Sequence, residues 1–169
     1  MDSKKIMNKT IENILDNFVF HGASSAGIMI FQAEKLILYK STCEEWYDFY
    51  NNAKEKSNCH LIKNSMKIAT KLSKNMILNK SFSLIWDLQI PSNDESLYLN
   101  EYREKYNHCH GINIISLPQD DILIGLTLTG RQCDLNFAQD VIANKSKVSH
   151  DAKILQNITR LCWQKHDKI

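Results

Sequence analysis

Residues 111–130 read Gly111-Ile-Asn-Ile-Ile-Ser-Leu-Pro118-Gln-Asp-Asp-Ile122-Leu-Ile-Gly-Leu-Thr-Leu-Thr-Gly130. Two runs rich in β-branched residues, Gly111–Leu117 and Ile122–Thr129, flank a Pro-Gln-Asp-Asp connection short enough for a β-hairpin. Ala26–Gln32 and Leu36–Lys40 repeat the device around Ala33-Glu34-Lys35. Phe82–Leu88, ended by Pro91, adds a fifth strand, with Phe82, Leu84 and Trp86 alternating to one side. Hairpins pair antiparallel, and runs this apolar need cover on both faces.

Helical segments supply that cover. Ile6, Met7, Ile11, Ile14, Leu15 and Phe18 recur at helical spacing over Ser3–Phe18. Ser41 or Thr42 is placed to cap a helix running to Lys56. A second runs from His60 to Asn79, with Ile62, Met66, Ala69, Leu72 and Met76 as its buried stripe. Ser92-Asn93-Asp94-Glu95 is a capping-box pattern opening another helix to Asn107. From Asp134 onward there is neither Gly nor Pro, and Val148, Ala152, Leu155, Ile158 and Cys162 mark a closing amphipathic helix, broken near Lys145–Ser149. The order α, β-hairpin, α, α, β, α, β-hairpin, α predicts an α/β (α+β) fold. It is a PAS/GAF-like α-β-α sandwich with a five-stranded antiparallel sheet, one domain over residues 1–169. Neither G-x-G-x-x-G nor G-x-x-x-x-G-K-[ST] occurs, which argues against dinucleotide and P-loop folds.

Composition narrows the classes of function. A hydrophobic fraction of 43% is that of a globular domain, and the net charge is only +2, with 18 Lys against 3 Arg. That excludes a surface made wholly for nucleic acid and disfavours guanidinium readout of bases. The 20 Ile and 16 Asn suit an A/T-rich bacterial coding sequence. No apolar run approaches the ~18 residues of a membrane span, and the charged N-terminus is not a signal peptide. Five widely spaced cysteines without C-x-x-C then predict reduced thiols in the cytoplasm, and no membrane association.

Few residues suggest chemistry. Cys59-His60 and His108-Cys109-His110 are the places for a nucleophile–base pair or a metal, but neighbours on a regular element point apart and the spacing fits no zinc pattern. The expectation is no enzyme, no metal and no cofactor. Lys63, Lys67, Lys71 and Lys74 form a basic row that a solvated helix face explains. The aromatics are more specific. Trp46 and Tyr50, four apart, converge on one helix face, and with Trp86 and Thr127 they can line a mostly apolar cavity with a few polar handles. The same residues can also simply fill a core.

On these residues the chain resembles the ligand-binding domain of the LuxR-type quorum-sensing regulators, over about residues 10–165. The family's W-x-x-x-Y appears as Trp46-Tyr47-Asp48-Phe49-Tyr50 after Glu45, and its next tryptophan as Trp86. The Gly-Ile-Thr-Ile element appears as Gly111-Ile112-Asn113-Ile114, and the pocket hydroxyl of the last strand as Thr127. The resemblance implies an autoinducer pocket between sheet and helices, lined by Trp46, Tyr50, Ile62, Asn64, Trp86 and Thr127. By resemblance, Trp46 donates to a lactone carbonyl, Tyr50 and Thr127 bond the acyl carbonyl region, and Trp86 covers the ring.

Two departures qualify it. The family's Asp-Pro should fall near Leu61-Ile62-Lys63-Asn64-Ser65, where there is neither, and its tyrosine four residues before the first Trp is Thr42. Losing the carboxylate removes a charge-assisted hydrogen bond of roughly 1.5–3 kcal/mol, with Asn64 left as a neutral acceptor. A standard acyl-homoserine lactone is therefore expected to bind weakly. The 39 residues after Gly130 read as closing helices rather than the family's helix-turn-helix, so no direct nucleic-acid contact is expected. The expectation is a small-molecule sensor that pairs as a homodimer through the last helix and Trp163. The rival readings are a ligand-free interaction domain of the same fold and a Cys/His metal or enzyme domain.

Overall fold

The computed structural model describes residues 3–20, 22–32, 35–52, 59–74, 81–89, 94–119, 122–144, 148, 150, 152–155 and 157. Its elements are α1 (Ser3–Phe20), β1 (Ser25–Gln32), β2 (Lys35–Ser41), α2 (Glu44–Asn52), α3 (His60–Lys74) and β3 (Ser81–Ile85). A 3₁₀ turn (Trp86–Leu88), α4 (Asp94–Lys105), β4 (His110–Gln119), β5 (Ile122–Gly130) and α5 (Phe137–Ala143) follow. The five strands form one antiparallel sheet in the order β2-β1-β5-β4-β3. Each predicted hairpin pairs, and the two stack side by side through β1 and β5.

Helices cover both faces, as the apolar strands require. On one face Ile11, Leu15 and Phe18 of α1, Phe137 and Ala138 of α5, and Ala152 and Leu155 pack on Ile28, Ile112, Ile124, Leu126 and Leu128. On the other, Leu61 and Ala69 of α3 and Leu99 of α4 meet Phe31, Leu84, Ile115, Leu117 and Leu123. The fold is an α-β-α sandwich. Among the described residues, no helix is long and apolar enough to cross a membrane.

Four local expectations change. β3 stops at Ile85, and Trp86 opens the 3₁₀ turn, closed by Gln89 N–H donating to the Trp86 carbonyl at 2.8 Å. Thr42 does not cap α2: its hydroxyl accepts from Ala26 N–H at 2.9 Å and ties the helix entry to β1. Among the described side chains of α3 the buried positions are His60, Leu61, Ser65 and Ala69, with Ile62 and Met66 at the flank. The serine tolerates that place because its hydroxyl donates back to the Leu61 carbonyl at 2.7 Å. Finally, Leu155 is fully buried in the chain's own core, so it is not part of a self-association face. Trp163 and Cys162, and the capping box at 92–93, lie outside the described residues.

Candidate ligand-binding site

The α2–α4 face of the sheet changes character along the strands. One end is apolar, with Phe31, Leu123, Ile115 and Leu117. At the other end strand alternation brings up small or polar residues: Ser25 and Gly27 on β1, Thr127 and Thr129 on β5, and Asn113 on β4. Register sets them in rows, since Gly27 pairs with Thr127 and Thr127 with Asn113, while Ser25 pairs with Thr129 and Thr129 with Gly111. Because these side chains are short, the helices leave a cavity of about 50 Å³ over them. At ~10–15 Å³ per water, that space holds a few waters.

Trp46, Ile62, Trp86 and Thr127 line this cavity, together with Met29, Tyr39, Cys59, Leu61, Arg103 and Asn113. Tyr50 lies on α2, but its side chain is outside the described set. Asn64 does not line the cavity. A helix advances about 100° per residue, so with Leu61 and Ile62 facing the cavity Asn64 turns aside, and its Nδ2 donates to Gln89 Oε1 at 2.9 Å. Another amide takes the central place. Asn113 Oδ1 accepts from Trp86 Nε1 at 2.9 Å and from Thr127 Oγ1 at 3.0 Å, while its Nδ2 donates to Ser65 Oγ at 3.4 Å.

Trp86 reaches that position because residue 111 is glycine. A Cβ there would stand 2.5 Å from the indole ring, inside any permitted contact. Trp46 is held by aromatic rings, Phe49 at 5.4 Å and Tyr106 at 6.1 Å, and α2 is joined to α4 by the Phe49–Tyr102 stack at 3.8 Å. Buried Tyr39 faces the Ser41 hydroxyl and the Trp46 indole; burial nevertheless dominates and raises its phenol above the ordinary range.

The end of α4 delivers the strongest electrostatics. Asn107 takes a left-handed φ of +58°, with its N–H on the Glu104 carbonyl and His108 N–H on the Arg103 carbonyl, a Schellman closure. This closure turns His108 inward, where its Nδ1 meets Thr129 Oγ1 at 3.2 Å, while Thr129 Oγ1 and Ser25 Oγ are 2.8 Å apart. Burial first, and the Arg103 charge second, push His108 and His60 down to about 4. Arg103 itself is 5% exposed. Leu61, Trp86 and Arg103 also line a second, more polar cleft of about 480 Å³ with Asp87, Glu104 and His110, and so form the wall between the two.

The cysteine–histidine pairs diverge. Cys59 accepts from Arg103, His108 faces Thr129, and His110 contacts Asp87 at 2.9 Å. Among the described residues, no group of three or more His, Cys, Asp or Glu side chains gathers as a metal site would require. On α3, Lys67 and Lys71 are exposed and Lys63 is half-buried.

The N-acylhomoserine lactone dependent LuxR family transcription factor CepR2 from Burkholderia cenocepacia aligns over 83% of this chain and 78% of its own, with a TM-score of 0.59 and 13% identity. The chain has the fold of this LuxR-family protein. At that identity the likeness is one of fold. Escherichia coli SdiA aligns over 94% of this chain and 63% of its own, with a TM-score of 0.45 and 14% identity. SdiA in complex with octanoyl-rac-glycerol aligns over 77% and 48%, with a TM-score of 0.43 and 14% identity. No protein-family model matches the chain, and no curated protein sequence does.

Proposed function

We propose that this chain is the small-molecule sensor domain of a LuxR-type transcriptional regulator, acting in the cytoplasm and without catalysis. The observation that carries this reading is the cavity. A sheet otherwise packed with Ile and Leu presents Asn113, Thr127, Thr129 and Gly27 under Trp46 and Trp86, the mixture of apolar walls and few polar handles that small-molecule sites use. The fold shared with CepR2, an N-acylhomoserine lactone dependent factor, supports the same class of ligand-binding protein.

The cavity of about 50 Å³ is smaller than a drug-sized ligand, whereas the cleft beyond Leu61, Trp86 and Arg103 offers about 480 Å³. Displacing that wall joins the two into a site of the usual size for such ligands. Ligand capture in this reading is a wall movement, and the signal is the new position of α3 and α4. With Asn64 turned away and, among the described residues, no carboxylate lining the cavity, an unmodified acyl-homoserine lactone lacks a charged acceptor for its amide and binds weakly. Self-association belongs to the reading through the family resemblance, by a surface other than the Leu155 face, and sedimentation at tens of micromolar tests it.

A thermal-shift and native mass spectrometry screen across acyl lactones, fatty acids and indoles tests the whole reading. At least one class should raise the melting temperature and bind at one per chain. No stabilisation by any of them would favour the ligand-free interaction domain. Turnover lost on Cys59→Ala or His110→Ala would replace both with an enzyme.

A further inference from the structure

Arg103 carries a buried charge. Among the described residues, no carboxylate lies within salt-bridge distance of its guanidinium, although the side chain is 5% exposed. Its direct partners are neutral. Nη1 donates to the Asn100 side-chain oxygen, Nη2 donates to Cys59 Sγ at 2.9 Å, and Cζ stands 5.1 Å from the centre of the Trp86 ring. Nε has no partner, and the neighbouring His60 Nδ1 and His108 Nε2 have none either. An arginine does not neutralise itself by losing its proton, so burying one without a partner costs several kcal/mol. Of the three, Nε is a donor whatever the tautomers of the two neutral imidazoles, so the cation itself is one acceptor short.

We propose that Arg103 receives the carboxylate of an apolar-tailed acid, so that the ligand of the sensor cavity is an anion rather than a neutral lactone. The inference rests on the sensor reading and narrows it to a ligand class. Nε and Nη2 share one edge of the guanidinium, the edge that takes the two oxygens of a carboxylate in parallel. The Cys59 thiol occupying Nη2 is a weak acceptor that a carboxylate displaces. Position favours the inner side of the wall. Among the described residues, Arg103 is the only Lys, Arg, Asp or Glu lining the inner cavity, whereas Asp87 and Glu104 line the outer cleft and repel an anion there. The flat two-oxygen head suits the small inner cavity better than a bulkier phosphate, and the tail lies along Met29, Leu61 and Ile62 once the wall has moved.

The test uses the full chain and two size-matched pairs at pH 7.5: octanoate with octanamide, and ring-opened N-octanoyl-homoserine with its neutral lactone. Binding is read by tryptophan fluorescence and by thermal shift. The acid of each pair should bind at least tenfold more tightly than its neutral mate. Arg103→Gln should abolish that preference; Arg103→Lys, which keeps the charge but not the fork, should keep only part of it. Should Arg103→Gln not fold, Arg103→Lys with unchanged circular dichroism carries the test. Neutral mates binding as tightly as the acids would overturn the anion site and leave the sensor reading standing. An acid preference undiminished in a folded Arg103 variant would also overturn it. No binding by either pair, nor by any indole, lactone or fatty acid, would remove both.

Discussion

Trp86 donates its indole N–H to Asn113 at 2.9 Å, which fastens the 3₁₀ turn after β3 to the middle of β4. The same Asn113 oxygen accepts from Thr127 on the next strand, so one amide organises the floor of the cavity. Asn113→Ala should therefore leave two donors without their acceptor and cost about 1–3 kcal/mol. Urea denaturation measures that loss. Asn64→Ala, which removes only the contact to Gln89, should cost less and leave ligand affinity unchanged; a larger effect at Asn64 than at Asn113 would reverse their assignment.

Gly111 and Trp86 are matched in shape. Gly111→Ala puts a methyl group 2.5 Å from the ring, an overlap that must move the indole or the strand, at a cost of about 1–3 kcal/mol. The tryptophan emission should shift with it. If contact with the ring is the cause, adding Trp86→Leu should recover part of the stability. Simple additivity of the two substitutions would show that the strain lies elsewhere.

His60 and His108 make stability depend on pH in a definite direction. Their folded values of about 4 lie below the ordinary 6.5, held there first by burial and then by Arg103. The unfolded chain therefore takes up protons that the folded chain refuses. Their contribution is fully present above pH 6.5 and is lost as the pH falls toward 4. The urea midpoint should drop across that window, and a His60→Gln, His108→Gln variant should flatten the slope. An unchanged slope in the variant would assign the acid sensitivity to other groups.

Leu155 is fully buried with Ala152 against α1 and the sheet. Leu155→Asp sets an unpaired carboxylate in that core and should cost about 4 kcal/mol or more. Loss of the folded state at every protein concentration is the expected result by circular dichroism. A folded variant that differs only in sedimentation would return Leu155 to an interface.

The sequence alone was enough for the architecture. Both hairpins, the isolated third strand and the order of the helices follow from local signals: β-branched runs, short polar connections, and apolar residues at helical spacing. Trp46, Trp86 and Thr127 also stand out within apolar patterns, while Ile62 enters only through the family resemblance; all four line the cavity. Asn113 was visible between two isoleucines, but its role depends on register, which sets it beside Thr127 across the sheet. Asn64 lies so near the expected position that only the rotation of α3 shows it facing elsewhere. Arg103 left no local trace at all. The segment Asp94–Lys105 is polar along most of its length, and nothing in it distinguishes a buried arginine from an exposed one. Periodicity records which face of an element turns inward, because that choice repeats within a few residues. The burial of a single charge is decided by α3, α4, the 3₁₀ turn and the sheet closing on one point, and only the tertiary structure contains that convergence.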